Sequence, residues 1–457
     1  MIDLNDLANP HLRGIAVYEP GKPIEDVARE HGLDPDSIIK LASNENPLGP
    51  SPKAIEAMRR AVEKAQLYPD GNCYHLRHAL ARHLGVDFHE IIIGNGSNEI
   101  IEFLGHAFLG PDDEVITARH AFAIYPIMTM LLGAKTIEVP DPGFVHDLPA
   151  MARAVTPKTK LFFIANPNNP TGTAVTEQTL FDVVASLPPR VIVVIDEAYY
   201  EFMPEPPRTL ELVRRHPNVI LMRTFSKIQG LAGLRIGYGI AQESLISILH
   251  KTRQPFNVNS IAQAGALAAL ADENHQRKTR EVTWEGLQFL AEEFKKMGLE
   301  FVPSQANFIM VKVGEDGAGY RVFRELMKRG IIIRDPVALE KAGQCRTLIF
   351  DKTGTLTYGK PELVEQVVAA GLDRREVLAS AASLERYSKH PLAEPILRAA
   401  EADSVVMYEA SEISERPGTG LCGTSLKYGM VVTLGMLPTT ILTLFGCARM
   451  ASMAALY

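Results

Sequence analysis

Three short runs in this chain hold residues whose types and order suit one kind of chemistry. The first is Ala165-Asn166-Pro167-Asn168-Asn169-Pro170-Thr171-Gly172. The second is Val194-Ile195-Asp196-Glu197-Ala198-Tyr199. The third begins Thr224-Phe225-Ser226-Lys227 and ends Leu234-Arg235-Ile236-Gly237. A lysine amine can bond covalently to an aldehyde, and an incoming amino group can later displace it. A carboxylate can keep a pyridine nitrogen protonated, so that the ring draws in electrons. A guanidinium pairs bidentately with a phosphate. The cofactor that needs all of these groups is pyridoxal 5'-phosphate, which supplies the hard chemistry while the protein holds and tunes it.

Lys227, Asp196 and Tyr199 are the catalytic candidates. Most lysines are solvated surface groups. Lys227 departs from that pattern because Arg235 follows eight residues later in a glycine-rich run, Gly230 to Gly239. Asp196 closes an apolar strand, and the carboxyl ends of strands open onto the crevice where α/β ligands bind. An N-cap or a satisfied buried carboxylate is the plain alternative. Tyr199, three residues on, and Asn169 can both reach a ring hydroxyl from there. Gly96, Ser97 and Asn98 lie between a strand and a helix, where free backbone N–H groups and the helix dipole attract an anion. Thr224, Ser226 and Arg235 converge on the same phosphate. Phe122 and Tyr125 are the candidates for a ring stacked on the cofactor face, with core packing as the alternative for each. No metal ligand set is expected.

These groups need a scaffold. Short apolar runs at 90–94, 114–117, 160–164, 191–195 and 219–223 read as strands, and 100–108 places apolar residues at helical spacing. Such runs with helical stretches between them predict an α/β fold with a mostly parallel sheet covered on both faces.

The bulk properties bound the function. The chain has 457 residues, enough for two to four domains, with 46% apolar and 22% charged residues, ordinary values for a soluble globular protein. A net charge of −7 offers no basic surface to nucleic acid. Cys73, Cys345, Cys422 and Cys447 have no paired spacing, which argues against a disulfide framework or a zinc site and fits a reducing, cytoplasmic setting. Residues 1–10 carry acidic groups and no apolar run, so no signal peptide is expected. No repeat is evident. Residues 428–448 contain no charge, long enough to span a bilayer, but Pro438 and several glycines and threonines make a poor lipid helix. A membrane partner is not expected.

The cofactor motifs resemble those of the fold-type I aminotransferases and, more narrowly, of the histidinol-phosphate aminotransferase family. The narrower likeness rests on Tyr18-Glu19-Pro20-Gly21-Lys22-Pro23, on the run from Leu41-Ala42-Ser43-Asn44-Glu45-Asn46 to Pro50, on Tyr68-Pro69-Asp70-Gly71, and on the lysine segment. It covers residues 1–334. The resemblance implies a homodimer with active sites at the subunit interface. In it Tyr68 would reach the cofactor phosphate of the other subunit and Tyr18 its substrate. It implies transfer of the amino group of L-histidinol phosphate to 2-oxoglutarate, giving glutamate. It also implies substrate contacts from Asn46, Tyr125, Asn169, Arg334 and Arg346. The rival substrates are those of an aromatic aminotransferase or a threonine-phosphate decarboxylase-like enzyme.

The family pattern breaks after Ile331-Ile332-Ile333-Arg334. A second arginine strand is absent as a motif, although Arg346 stands twelve residues on. Instead the chain resembles the phosphorylation region of heavy-metal P-type ATPases. Asp351-Lys352-Thr353-Gly354-Thr355-Leu356-Thr357, Ser388-Lys389-His390-Pro391-Leu392-Ala393 and Pro417-Gly418-Thr419-Gly420 carry that likeness. It would make Asp351 a phosphorylated nucleophile and His390 an ATP contact. The magnesium carboxylates of such a pump do not follow, and phosphoryl transfer leans on them. The expected organisation is therefore an N-terminal arm with part of a small domain (1–60), a large cofactor domain (61–275), an incomplete small domain (276–334), a pump-like fragment (335–425) and an apolar tail (426–457). A chimera without function is one possible outcome of such a junction.

Overall fold

The computed structural model describes residues 7–15, 22–314, 317–334, 347–351, 373–386, 393–416, 420–425, 430–436 and 442–447. The chain divides into two compact units, Met1–Thr357 and Tyr358–Tyr457.

In the first unit β1 (Ile39–Leu41) stands apart from a seven-stranded sheet. The strands of that sheet are β2 (Ile91–Gly94), β3 (Glu114–Ala118), β4 (Lys135–Val139), β5 (Thr159–Ala165), β6 (Ile192–Asp196), β7 (Val219–Thr224) and β8 (Gly237–Ala241). Their order is β2-β8-β7-β6-β5-β3-β4. All neighbours run parallel except β8, which is antiparallel to both β2 and β7. The expected strands match these within one or two residues, and the expected helix at 100–108 is part of Ser97–Phe108.

Successive strand residues point to opposite faces, and both faces are covered. Phe162, Ile164, Val193, Ile195 and Leu221 enter one core cluster. Leu161, Phe163, Val194, Ile220 and Met222 enter the other. This is why the strands read as unbroken apolar runs rather than alternating ones. The strand β8 is Gly-Tyr-Gly-Ile-Ala, which does not read as apolar. A Cβ at Gly239 would stand 3.1 Å from both Ile92 and Ile220, so this strand is glycine-rich because its neighbours lie so close.

A second group of elements completes the unit. β9 (Phe301–Val302), β10 (Phe308–Lys312), β11 (Ile331–Ile333) and β12 (Thr347–Asp351) form two small sheets. β11 pairs in parallel with β1, Ile39 opposite Ile331. β12 pairs antiparallel with β10, Asp351 opposite Phe308. The small domain expected to stop at 334 thus gains a further strand from beyond the junction. Phe308 is fully buried in a cluster with Tyr199 and Phe202. Val27, Leu290, Phe294, Ile309, Val311, Phe323 and Ile332 form the core of this group.

The second unit contains helices Arg374–Glu385 and Ala393–Ala402 and an antiparallel meander, β13 (Ala410–Arg416), β14 (Gly420–Ser425), β15 (Met430–Met436) and β16 (Leu442–Cys447). The division at 357 falls well after the expected one at 334. The uncharged stretch 428–448 supplies β15 and β16 rather than a long helix, and among the described residues no helix is long and apolar enough to cross a membrane. His390 lies outside the described residues.

Candidate active site

Lys227 follows β7 by three residues and reaches into a cavity of about 370 Å³. Asp196, Tyr199, Asn169, Thr224, Ser226, Arg235, Ser97, Asn98, Phe122, Tyr125 and Arg334 line the same space. The ends of β2, β5, β6 and β7 deliver most of them, as expected of an open α/β sheet. Three sequence runs separated by some thirty residues each are brought together because their strands are neighbours.

At one end, Asp196 is 6% exposed. Its Oδ2 accepts a hydrogen bond from the Tyr125 hydroxyl at 2.7 Å and its Oδ1 one from the Ala198 N–H at 3.1 Å. Burial raises the Asp196 pKa, while the Tyr125 hydroxyl and the Ala198 amide counter that rise. Tyr125 is fully buried and stacked on Phe163, with ring centroids 4.3 Å apart. Burial, and then the Asp196 charge, push its own pKa well up. Tyr125 was expected at the cofactor face or the substrate. The structure places it on the cavity wall, with its hydroxyl bound to the Asp196 carboxylate.

Around the middle, Lys227 Nζ donates to the Ser43 carbonyl at 3.1 Å and the Asn44 carbonyl at 3.2 Å. The Tyr199 hydroxyl accepts from Asn44 Nδ2 at 3.0 Å and Asn169 Nδ2 at 3.3 Å. Asn44 adopts a left-handed backbone (φ 53°) and is 2% exposed. No role is expected of it from the sequence alone, although it lies in the Ser43-Asn44-Glu45-Asn46 run. Asn46 was expected to touch substrate. Its amide instead donates to the Ile228 carbonyl and the Thr279 hydroxyl, which ties the 46–50 turn to the lysine loop, and it does not line the cavity.

At the other end, Thr224 Oγ1 donates to Ser226 Oγ at 3.0 Å, and Arg235 Nη1 donates to the same Ser226 Oγ at 3.4 Å. Helix Ser97–Phe108 begins here, with Gly96 as its N-cap. Gly96 has φ 80°, and a Cβ there would collide with the Arg235 guanidinium. A Cβ at Gly237 would lie 2.5 Å from the Ser97 amide nitrogen. Glycine at these two positions therefore lets guanidinium, helix start and strand crowd around one point. Arg235 has no carboxylate partner among the described residues. A cation, two hydroxyls and a helix N-terminus around one space call for an anion with several oxygens. A buried carboxylate at the far end calls for a protonated ring nitrogen. The residues present fit pyridoxal phosphate.

Phe122 lies against the cavity, edge-on to Tyr125 with centroids 5.7 Å apart. Arg334 Nη1 donates to Asn169 Oδ1 at 2.9 Å. Tyr68 is 84% exposed, stacked on Phe256 at 4.9 Å, and does not line the cavity of its own chain. Tyr18 and Arg346 lie outside the described residues.

Fold and site define an enzyme class, and the chain belongs to the class I and II aminotransferases, the family matched by residues 36–368. Among its relatives is a histidinol-phosphate aminotransferase of Akkermansia muciniphila, 51% identical over 334 residues, which are 73% of this chain and 91% of that protein. A histidinol-phosphate aminotransferase of Moorella thermoacetica is 49% identical, over 71% of this chain and 83% of its own length. The crystal structure of histidinol-phosphate aminotransferase from Sinorhizobium meliloti in complex with pyridoxal-5'-phosphate superimposes with a TM-score of 0.69 at 29% identity, covering 76% of this chain and 92% of that one. The pump-like reading of the residues beyond 334 has no counterpart in these likenesses.

Proposed function

We propose that this chain is a pyridoxal-phosphate-dependent transaminase that moves the amino group of L-histidinol phosphate to 2-oxoglutarate. The observation that carries the reading is the convergence of Lys227, Asp196 and Arg235 on one cavity. The relatives' names supply the substrate. When bound, the cofactor supplies an electron sink for the bond to the substrate α-carbon.

The residues divide the remaining work. Arg235, Ser226, Thr224 and the amides at Ser97 and Asn98 hold the phosphate. Asp196 keeps the ring nitrogen protonated, with Tyr125 fixing the carboxylate's orientation. Tyr199 and Asn169 set the ring hydroxyl, and Phe122 covers one face. Lys227 holds the cofactor until substrate arrives and then carries a proton to and from the substrate α-carbon, in general acid–base fashion. Arg334 meets the substrate's anionic group.

The assembly we propose is a homodimer in the cytoplasm, in which Tyr18 and the exposed Tyr68 complete the partner's site. We read the chain beyond Arg334 as a fused fragment of pump-like sequence, of which β12 substitutes for the family's returning strand. Arg346, next to β12, is then the second substrate arginine. Incubation of the purified chain with histidinol phosphate and 2-oxoglutarate, with glutamate as the readout, tests the reading. Turnover with aromatic amino acids and none with histidinol phosphate would replace the substrate and keep the chemistry.

A further inference from the structure

A buried ion pair lies just behind the cavity and has no part in the steps above. The side chains of Arg223 and Glu197 are 6% and 1% exposed. Arg223 Nε donates to Glu197 Oε2 at 2.8 Å, and Thr209 Oγ1 donates to Glu197 Oε1 at 2.5 Å. The Arg223 guanidinium lies 3.8 Å from the centroid of the Tyr200 ring. Neither residue lines the cavity.

Removing two charges from water costs several kcal/mol per ion, and apolar residues of the same volume are often as stable or more so. A pair of this kind therefore suggests a geometric role. Its place in the chain shows which geometry. Glu197 directly follows Asp196, at the ring-nitrogen end of the cavity. Arg223 directly precedes Thr224, at the phosphate end. The ladder between β6 and β7 pairs Asp196 with Met222, and its last backbone bond is from Glu197 N–H to the Met222 carbonyl at 2.8 Å. Beyond that point β6 has ended, while β7 runs on through Arg223 and Thr224 paired with β8 alone among the described residues. The Arg223–Glu197 bond is the next tie between them.

We propose that Arg223 and Glu197 are positioning residues whose side-chain bond clasps the ends of β6 and β7 and so sets the distance between Asp196 and the Thr224–Ser226 phosphate groups. The inference rests on the cofactor reading given above. A rigid ligand that engages both ends at once senses that distance, and one that engages a single end does not.

The test is titration of the full-length apoprotein with pyridoxal phosphate and with pyridoxal, followed by visible absorbance, alongside thermal unfolding of the apoprotein. Glu197→Gln/Arg223→Met removes the pair but leaves the Glu201 carboxyl, whose pKa burial pushes up and the Arg223 charge holds down, so each titration is read only in a variant whose thermal unfolding shows that it folds. The Kd for pyridoxal phosphate rises about tenfold or more, roughly 1.4 kcal/mol, while the Kd for pyridoxal, which lacks the phosphate, changes little. Arg223→Lys keeps the charge but not the planar fork. It shows the same selective loss and decides the matter if the double variant does not fold. A pyridoxal phosphate Kd within about twofold of the original in a folded variant, or equal losses for both ligands, overturns the clasp. If the unsubstituted chain develops no visible band with pyridoxal phosphate, the cofactor reading fails instead.

Discussion

The two ends of the cavity are built in different ways. The cofactor end draws Asp196, Thr224, Ser226, Lys227, Arg235 and Ser97 from the ends of adjacent strands and the helix start beside them, all parts of one sheet with a buried core on each face. The end where we propose that substrate binds has Arg334, one residue past β11, a three-residue strand paired among the described residues with β1 alone. The other residues expected at that end, Tyr18 and Arg346, belong to segments before and after. Groups on a packed sheet hold their geometry closely, whereas groups on short outer elements depend on how those elements close. The cofactor end should therefore tolerate a change in the chain beyond Arg334 better than the substrate end does.

The contrast can be broken in steps. The largest effect is expected from Lys227→Ala. Covalent attachment of the cofactor disappears and turnover falls by roughly 10²–10⁴-fold, the range of a general acid–base group. Borohydride reduction followed by peptide mapping checks this, and label on another lysine would refute the assignment. Asp196→Asn should follow, with turnover down by about 10²–10³-fold, on the scale of removing one preorganised electrostatic group, while circular dichroism stays unchanged. Near-normal activity would make Asp196 a strand-end cap. Arg334→Met tests the other end. It should raise KM for histidinol phosphate about ten- to a hundredfold, for the loss of a charged hydrogen bond of roughly 1.5–3 kcal/mol, and shift the cofactor Kd far less, through the lost bond to Asn169. Parallel losses of both would show that the two ends are not separable.

An effect on stability rather than turnover concerns His146, which is 5% exposed and whose pKa burial lowers to about 4 from 6.5. The folded state binds fewer protons there than the unfolded chain between those values. Stability from this group is therefore complete above pH 6.5 and declines as pH falls towards 4, by up to about 3 kcal/mol. Denaturant titrations of His146→Leu should show a flatter dependence between pH 4 and 6.5. The smallest effect is expected of Asp351. Residues 352–457 carry no magnesium-binding carboxylate motif of the pump type, so radiolabelled ATP and an acid quench should leave no label on this chain. Label that vanishes in Asp351→Asn would revive the pump reading.

The cofactor end was legible because its groups are consecutive with the strands that present them. An aspartate at the end of an apolar run or a lysine three residues past another can be placed without any tertiary contact. Asn46 shows the limit. It lies in a run that carries the family likeness, yet its amide turns to the Ile228 carbonyl and the Thr279 hydroxyl and it does not line the cavity. Asn44 shows the converse. Its use depends on a left-handed backbone and a contact with Tyr199, 155 residues away, which no local pattern announces. β8 was missed because close packing selected glycine, and β12 because its sequence suggested another family while its backbone pairs with β10.

The Arg334–Asn169 bond joins the two ends of the cavity. Arg334 donates to a neutral amide oxygen, and the nitrogen of that amide donates to Tyr199. A substrate anion offers Arg334 a charge-assisted bond and so competes the amide away. On the proposed reading the Asn169 amide, no longer held through its oxygen, would then be free to turn its Nδ2 donor from Tyr199 towards the cofactor's ring hydroxyl. By reciprocity, whatever factor the substrate anion adds to cofactor affinity, the cofactor must add to the anion's. An inorganic anion at the substrate end should thus tighten pyridoxal phosphate binding in the intact chain, and this cooperativity should be absent in Asn169→Ala.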